Sequence, residues 1–418
     1  MVDAADGLFA VPDLFDGAVA VCWSYGMGVE STCGVVRTLL EPEFRPVELL
    51  DDLSNLIVLV AQTGDEWTST CDLVAAHVLP LLRRHAVRLV EVARKGPSAA
   101  DGIVVLQDTR EPVRLHPDPA KYGFYALSDE HRGNGVLPTL GGNRTCSAKA
   151  KGVPLDTWRA THLGLAPYVH AVGYNAEETR RIVTDSSVTL GGQRHPIYPL
   201  HAEGWSRARC QGYLFGLFGV WWPKSCCRQC CFVSLPGWPE QLARFKAAPA
   251  EAFKHVVDEY VAVALNRNSG LFGPNRSLTD RLRRGGARDV LALAEAQLDR
   301  CRWAVYRVRR CYTAPARAWR SVDTVACGSR AETGDILGRI AARLRVPCEV
   351  DGDHTRVWLT AHATTTYPRL EEFFVAAPDS VMPKQRTGFE ARWHGHADDR
   401  LLALEQSAHD AVADRDAA

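Results

Sequence analysis

Two short stretches gather the residues of this chain best suited to chemistry. The first, Ser24-Tyr25-Gly26-Met27-Gly28-Val29-Glu30-Ser31-Thr32, sets two glycines among the hydroxyls of Ser24, Ser31 and Thr32. Glycine lets the backbone approach a ligand closely, and a helix starting from such a turn offers unpaired N–H groups and the positive end of its dipole. The stretch therefore suits a polyanion. The second, Lys224-Ser225-Cys226-Cys227-Arg228-Gln229-Cys230-Cys231-Phe232, packs four thiols into six positions. Two residues between Cys227 and Cys230 allow one tight turn to present both sulfurs to a single metal centre. The same spacing suits a redox dithiol, whose pKa Lys224 and Arg228 would lower. Unligated thiols are a third reading. Cys22, Cys33 and Cys71 stand singly in apolar segments and are expected in the core.

Those residues need elements to position them. Residues 18–24 form a short apolar run ending in the glycine turn, and 31–41 carry Val35, Val36, Leu39 and Leu40 at helical spacing. Apolar strands are expected at 56–61, 87–93, 168–173 and 197–200, with helices at 72–85 and 205–219. This βαβαβ alternation predicts an α/β fold, a parallel sheet covered by helices. Residues 95–145, rich in Gly, Pro and Asp, read as an elaborated loop region. The composition changes at Pro236-Gly237-Trp238-Pro239, which sets one domain at 15–236 and a C-terminal α+β accessory domain at 240–400. In the latter, helices are expected at 240–264, 287–300 and 334–344 and strands at 303–310 and 357–360. Residues 401–418 read as a frayed tail.

Spacing excludes two common phosphate loops. There is no Gly-Lys-Ser/Thr of a Walker A site and no full Gly-x-Gly-x-x-Gly of a dinucleotide fold. The 24–32 stretch instead resembles the pyrophosphate loop of the adenine nucleotide α-hydrolase (PP-loop) superfamily, in the branch with phosphoadenosine phosphosulfate reductases, with Glu30 where Asp is usual. Three more segments are similar to that family. Thr63-Gly64-Asp65-Glu66 looks like its Asp-Thr-Gly turn, with Gln62 in the Asp position. Gly173-Tyr174-Asn175-Ala176-Glu177-Glu178-Thr179-Arg180-Arg181 looks like its Gly-x-Arg-x-x-Glu-Ser-x-Arg element, with Asn175 for Arg. Residues 145–154 resemble its Cys-Thr-x-x-x-Lys-x-x-Pro segment, and 224–232 its Lys-Ser-Gly-Cys-x-x-Cys-Pro-Phe signature. The likeness spans about residues 18–235.

The resemblance implies a twisted HUP/Rossmann-like sheet binding ATP or a related adenine nucleotide with Mg²⁺. Ser24, Tyr25, Gly26, Gly28, Ser31, Thr32, Thr63, Gly64, Arg144, Gly173, Glu178 and Arg181 would contact the nucleotide. Glu30, Lys151 and Cys226 would serve catalysis, and Cys146, Cys210, Cys227 and Cys230 would hold a 4Fe–4S cluster, with zinc as the rival metal. Cys226 and Cys231 stand where the family has Gly and Pro, as alternative ligands or sulfur-carrying thiols. The bland readings are a surface i, i+3 ion pair for Glu178 and Arg181 and solvated charges for Lys149 and Lys151. The expected activity is adenylation of an acceptor with loss of pyrophosphate, followed by sulfur transfer from a sulfur-donor protein. A sulfonucleotide reductase is the alternative, though residues 349–418 lack the cysteine such an enzyme uses. A catalytically silent nucleotide-binding or metal-stapled interaction protein is the alternative of another class.

Bulk composition adds limits. Lys plus Arg and Asp plus Glu number 49 each, so no global charge marks a nucleic-acid or membrane protein. Residues 281–350 nevertheless hold 15 Arg against 7 acidic residues. With Trp303, Tyr306 and Arg307 interleaved, that segment reads either as a nucleic-acid acceptor surface or as solvated Arg-rich elements. Without a long apolar run, and with Asp3, Asp6 and Asp13 ahead of any apolar stretch, a cytoplasmic protein without membrane contact is expected.

Overall fold

A computed structural model describes residues 18–138, 145–188, 192–314, 317–360 and 366–413. These divide into two units, one within 1–127 and 142–230, the other within 128–141 and 231–418.

The first unit is built on side chains that alternate across a sheet buried on both faces. β1 (Ala20–Ser24), β2 (Leu56–Gln62), β3 (Arg88–Arg94), β4 (Ile103–Thr109), β5 (Tyr168–Val172) and β6 (Arg194–Ile197) lie in the order β4-β3-β2-β1-β5-β6. All neighbours are parallel except β3 and β4. Val21 and Trp23 of β1, with Leu56, Val58 and Val60 of β2, enter one core with Val35, Val36 and Leu39 of helix α1 (Val29–Leu40). Cys22, Ile57, Leu59 and Ala61 enter the other, with Leu155 and Trp158 of the Val153–Leu163 helix. A period of two thus feeds two helical layers, as near-continuous apolar strands require. Helix α1 lies so close that a Cβ on Gly34 would sit 2.4 Å from the Trp23 ring.

The chain leaves β1 toward β2 on one side and leaves β5 toward β6 on the other. The order of strands therefore reverses between β1 and β5, the kind of edge at which open α/β sheets bind ligands outside the strands' carboxyl ends. Ser24 is in register with Leu59 and Val172 at that edge.

The second unit is an antiparallel sheet, β12-β8-β7-β11-β10-β9, comprising β7 (Trp303–Ala314), β8 (Arg317–Gly328), β9 (Cys348–Asp351), β10 (His354–Thr360), β11 (Arg369–Pro378) and β12 (Lys384–Gln385). Trp303 and Val305 face the Arg330–Leu344 helix, whereas Ala304, Tyr306 and Val308 pack with Val261 and Leu265 of the Pro249–Leu265 helix.

Several expectations need correction. The first sheet is mixed, because 95–145 contains β4, an antiparallel edge strand whose half-exposed residues (Ile103, Val104) carried no buried-strand signal. The strand expected at 197–200 lies at Arg194–Ile197, and Pro199 opens a short helix instead. The helix expected at 240–264 is two, because Pro249 pushes Ala248 out of helical geometry (φ −132°, ψ 60°). The division into units falls at 230–231, and 128–138 groups with the second unit. Residues 401–413 do not fray: they belong to the Asp399–Ala413 helix, which buries Leu401, Glu405, Ala408 and Ala411.

The arginines of β7 are not solvated; they turn inward. Arg307, Arg309 and Arg310 are buried. Arg307 donates to Glu372 at 2.5 Å and pairs with Glu405, Arg309 pairs with Glu390, and Arg310 pairs with Glu371 and caps the carbonyl of Leu265. Arg356 caps the same helix end through the carbonyls of Val263 and Ala264.

Burial raises the Glu372 carboxyl from its ordinary 4.5 to about 8, against the pull of Arg307. Between those values the folded state keeps a proton that the unfolded chain has released, so the stability it confers is full below the unfolded pKa and lost as pH rises through the folded one. Denaturant unfolding of the second unit should weaken across that window, with a slope approaching about 1.4 kcal/mol per pH unit. Glu372→Gln should flatten the slope; an unchanged slope would assign it to other groups.

Candidate functional site

The loop after β1 alternates like a strand that has lost its sheet. Tyr25, Met27 and Val29 are buried, while Ser24, Gly26, Gly28, Glu30 and Ser31 are half-buried. Tyr25 and Thr32 therefore point inward, and the Tyr25 hydroxyl meets Thr32 Oγ1 at 3.1 Å. The two side chains hold the loop in shape from within, and any contact they make with a ligand would be through the backbone. Gly26 is open, since an added Cβ would find nothing closer than Ser31 Oγ at 3.8 Å. Gly28 is the N-cap of α1, and no side chain caps that helix start. Ser31 Oγ donates back to the Gly28 carbonyl.

Met27 adopts a left-handed backbone (φ 60°). That costs a non-glycine residue roughly 1–2 kcal/mol. Burying its side chain contributes about as much in return, and the buried indole of Trp222 donates to its carbonyl at 3.0 Å. The loop shape is thus imposed by packing.

Gly173, just beyond β5, faces the start of α1. A Cβ there would lie 2.8 Å from Ser31 Cα and 3.0 Å from Ser31 N. Beyond it, two of the residues that differ from the pattern the sequence resembles meet: Asn175 Nδ2 donates to Glu30 Oε1 at 3.1 Å. Arg207 Nε donates to the same oxygen at 2.5 Å. Glu30 is accordingly a tie between helix α1 and the 173–178 turn. Glu178 accepts from the Asn175 backbone N–H and from Arg181, and the arginine also lies over the Tyr174 ring.

The cysteine segment packs on the same loop. A Cβ on Gly28 would be 3.2 Å from Ser225 Cβ. Ser225 Oγ is 3.4 Å from Glu66 Oε2, and Lys151 Nζ donates to Glu66 Oε1 at 2.6 Å. Glu66 is fully buried. Burial works against the Lys151 ammonium, but the Glu66 carboxylate more than offsets it, so Lys151 is a fixed cation. It projects from a π-turn at Ala148–Gly152, where an extra residue per turn re-aims side chains. Thr63 Oγ1 lies 3.6 Å from Cys227 Sγ, and the Arg228 N–H donates to the Asp65 carbonyl. Gly64 is needed twice over, by its φ of +77° and by Ala126, 2.6 Å from where a Cβ would be.

The thiols differ from expectation. Burial, reinforced by Glu66, raises the Cys227 thiol well above its ordinary range despite Lys151. Cys210 is fully buried in the core on the Arg207–Phe218 helix, hydrogen-bonded with Cys33 of α1. Among the described residues no three His, Cys, Asp or Glu side chains converge as metal ligands. Cys22, Cys33 and Cys71 are buried, as their surroundings suggested. Arg144 lies outside the described residues.

Spacing offered no sign of Trp222, His170 or Arg194. Ser24 Oγ lies 2.7 Å from His170 Nε2, and His170 Nδ1 receives Arg194 Nε at 2.6 Å.

Gly173→Ala should push the start of α1 from β5. Overpacking of this kind costs about 1–3 kcal/mol of stability, which denaturant unfolding of Gly173→Ala should show; unchanged stability would mean that the α1 start yields to the added methyl. No helix of the described residues is long and apolar enough to cross a membrane. Comparison with family models, with curated proteins and with solved structures gave no match.

Proposed function

We propose that the first unit binds ATP across the β1–β5 edge, in the manner of a HUP/Rossmann-like PP-loop enzyme, and adenylates an acceptor with release of pyrophosphate. One observation carries this reading. The half-buried residues of the 24–31 loop share one side, at a helix start that no side chain caps, outside the carboxyl ends of two strands where the sheet order reverses. Backbone N–H groups and the Ser24 hydroxyl there suit the charge that grows on the phosphates as the acceptor oxygen bonds to the α-phosphorus and the bond to pyrophosphate breaks. Mg²⁺ enters with the nucleotide as its counter-ion. Gly26 leaves room for the chain of phosphates to pass close to the backbone.

The neighbouring thiols favour sulfur transfer as the second half-reaction. Cys226 is half-buried, and Lys151 feels its charge. A persulfide on Cys226, formed by thiolate attack on the outer sulfur of a donor persulfide, would supply the sulfur that displaces AMP. Two equivalents of a low-molecular-weight thiol, oxidised to its disulfide, would then open the disulfide left between Cys226 and the acceptor, releasing the thiolated acceptor and restoring Cys226.

The test uses α-labelled ATP and a labelled persulfide donor. Wild type should release pyrophosphate and AMP in the presence of acceptor and should take labelled sulfur onto the chain. Cys226→Ser should keep nucleotide binding within about twofold and lose the chain-bound label, because only the sulfur relay is removed. Nucleotide binding without any pyrophosphate release across candidate small-molecule and nucleic-acid acceptors would make this a binding protein; no nucleotide binding at all would end the reading.

A further inference from the structure

We propose that His170 and Arg194 are positioning residues that fix the Ser24 hydroxyl as a hydrogen-bond donor toward the anion in the loop. This deepens the nucleotide-binding reading and rests on it. The chain of bonds starts at a group that cannot lose its proton. Arg194 is a guanidinium, all donors and no acceptor. It is 5% exposed and makes four hydrogen bonds: Nη1 to the carbonyls of Asp185 and Val188, Nη2 to Asp185 Oδ2, and Nε to His170 Nδ1. Tyr198 donates to the same Asp185 oxygen at 2.8 Å, so the guanidinium cannot swing away easily.

A nitrogen that accepts from Arg194 carries no proton of its own. His170 must therefore be neutral, with its single proton on Nε2. Its surroundings agree: burial lowers its pKa well below the ordinary value, and Arg159 and Arg194 facing the ring lower it further. Across the strand, His170 is opposite Cys22 on β1, and Ser24 lies two residues on along the same face. At 2.7 Å, the Nε2–H then donates to Ser24 Oγ. The hydroxyl, having spent a lone pair on histidine, turns its own hydrogen away from the sheet. Among the described residues Ser24 Oγ has no other partner, so that hydrogen is directed at the loop mouth. A free serine would choose between donating and accepting; this one is set before the anion arrives, which spares the rotor entropy on binding.

Two measurements test the relay and separate it from the nucleotide reading. Nitrogen-15 histidine spectra of the wild-type protein without ligand should show one ring neutral, protonated at Nε2, between about pH 5.5 and 8, and missing in His170→Gln. An imidazolium, or a proton on Nδ1, would overturn the relay whatever binds in the loop. The second measurement is a double-mutant cycle on ATP affinity. Ser24→Ala should weaken binding about tenfold, and His170→Phe should do much the same. Their combination should add less than about twofold, and His170→Gln, which keeps a donor toward Ser24, should recover most of the affinity. Additive losses, as from two unrelated structural defects, would sink the coupling. If the ring has the expected tautomer and wild type binds no ATP, the nucleotide reading fails and, with it, the role of Ser24 toward an anion.

Discussion

Backbone touching backbone at the β1–β5 edge is the constraint on which the first unit turns. Gly173 stands where any side chain would collide with Ser31, so the helix start and the end of β5 can approach only because one residue has no Cβ. Without that approach Asn175 would not reach Glu30, and the 173–178 turn would not close over the loop. Steric exclusion sets this geometry, and hydrogen bonds then hold it.

Charge around the site is fixed rather than free. Lys151 is committed to Glu66, Arg207 to Glu30 and Arg181 to Glu178. Breaking a buried pair of the Lys151–Glu66 kind costs about 3–5 kcal/mol, because it strands a charge away from water. The strained Met27 is likewise held in place, its carbonyl accepting from the indole of Trp222.

The second unit applies the same rule to different ends. Its arginines look like a binding surface when counted along the chain, yet Arg307, Arg309 and Arg310 turn inward to carboxylates and helix carbonyls. A charge count reports how many cations there are. Only packing reports where they point.

The sequence by itself determined β1, β2, β3 and β5 of the first unit and the helix that follows β1, because a buried strand must be apolar at every position and a helix must repeat its apolar face each 3.6 residues. It determined also that residues 24–32 would turn from strand to helix, since glycines and hydroxyls there have no core to serve. Edge strand β4 was hidden because its residues are only half-buried. The tertiary structure alone decided which side chains meet. Ser24 and His170 are separated by 146 residues, and Cys210 carries the same letter as Cys227 yet sits in the core against Cys33. Spacing along a chain governs local turns and faces; the partners of a hydroxyl or a thiol are set by sheet order and register, which exist only after the chain has folded.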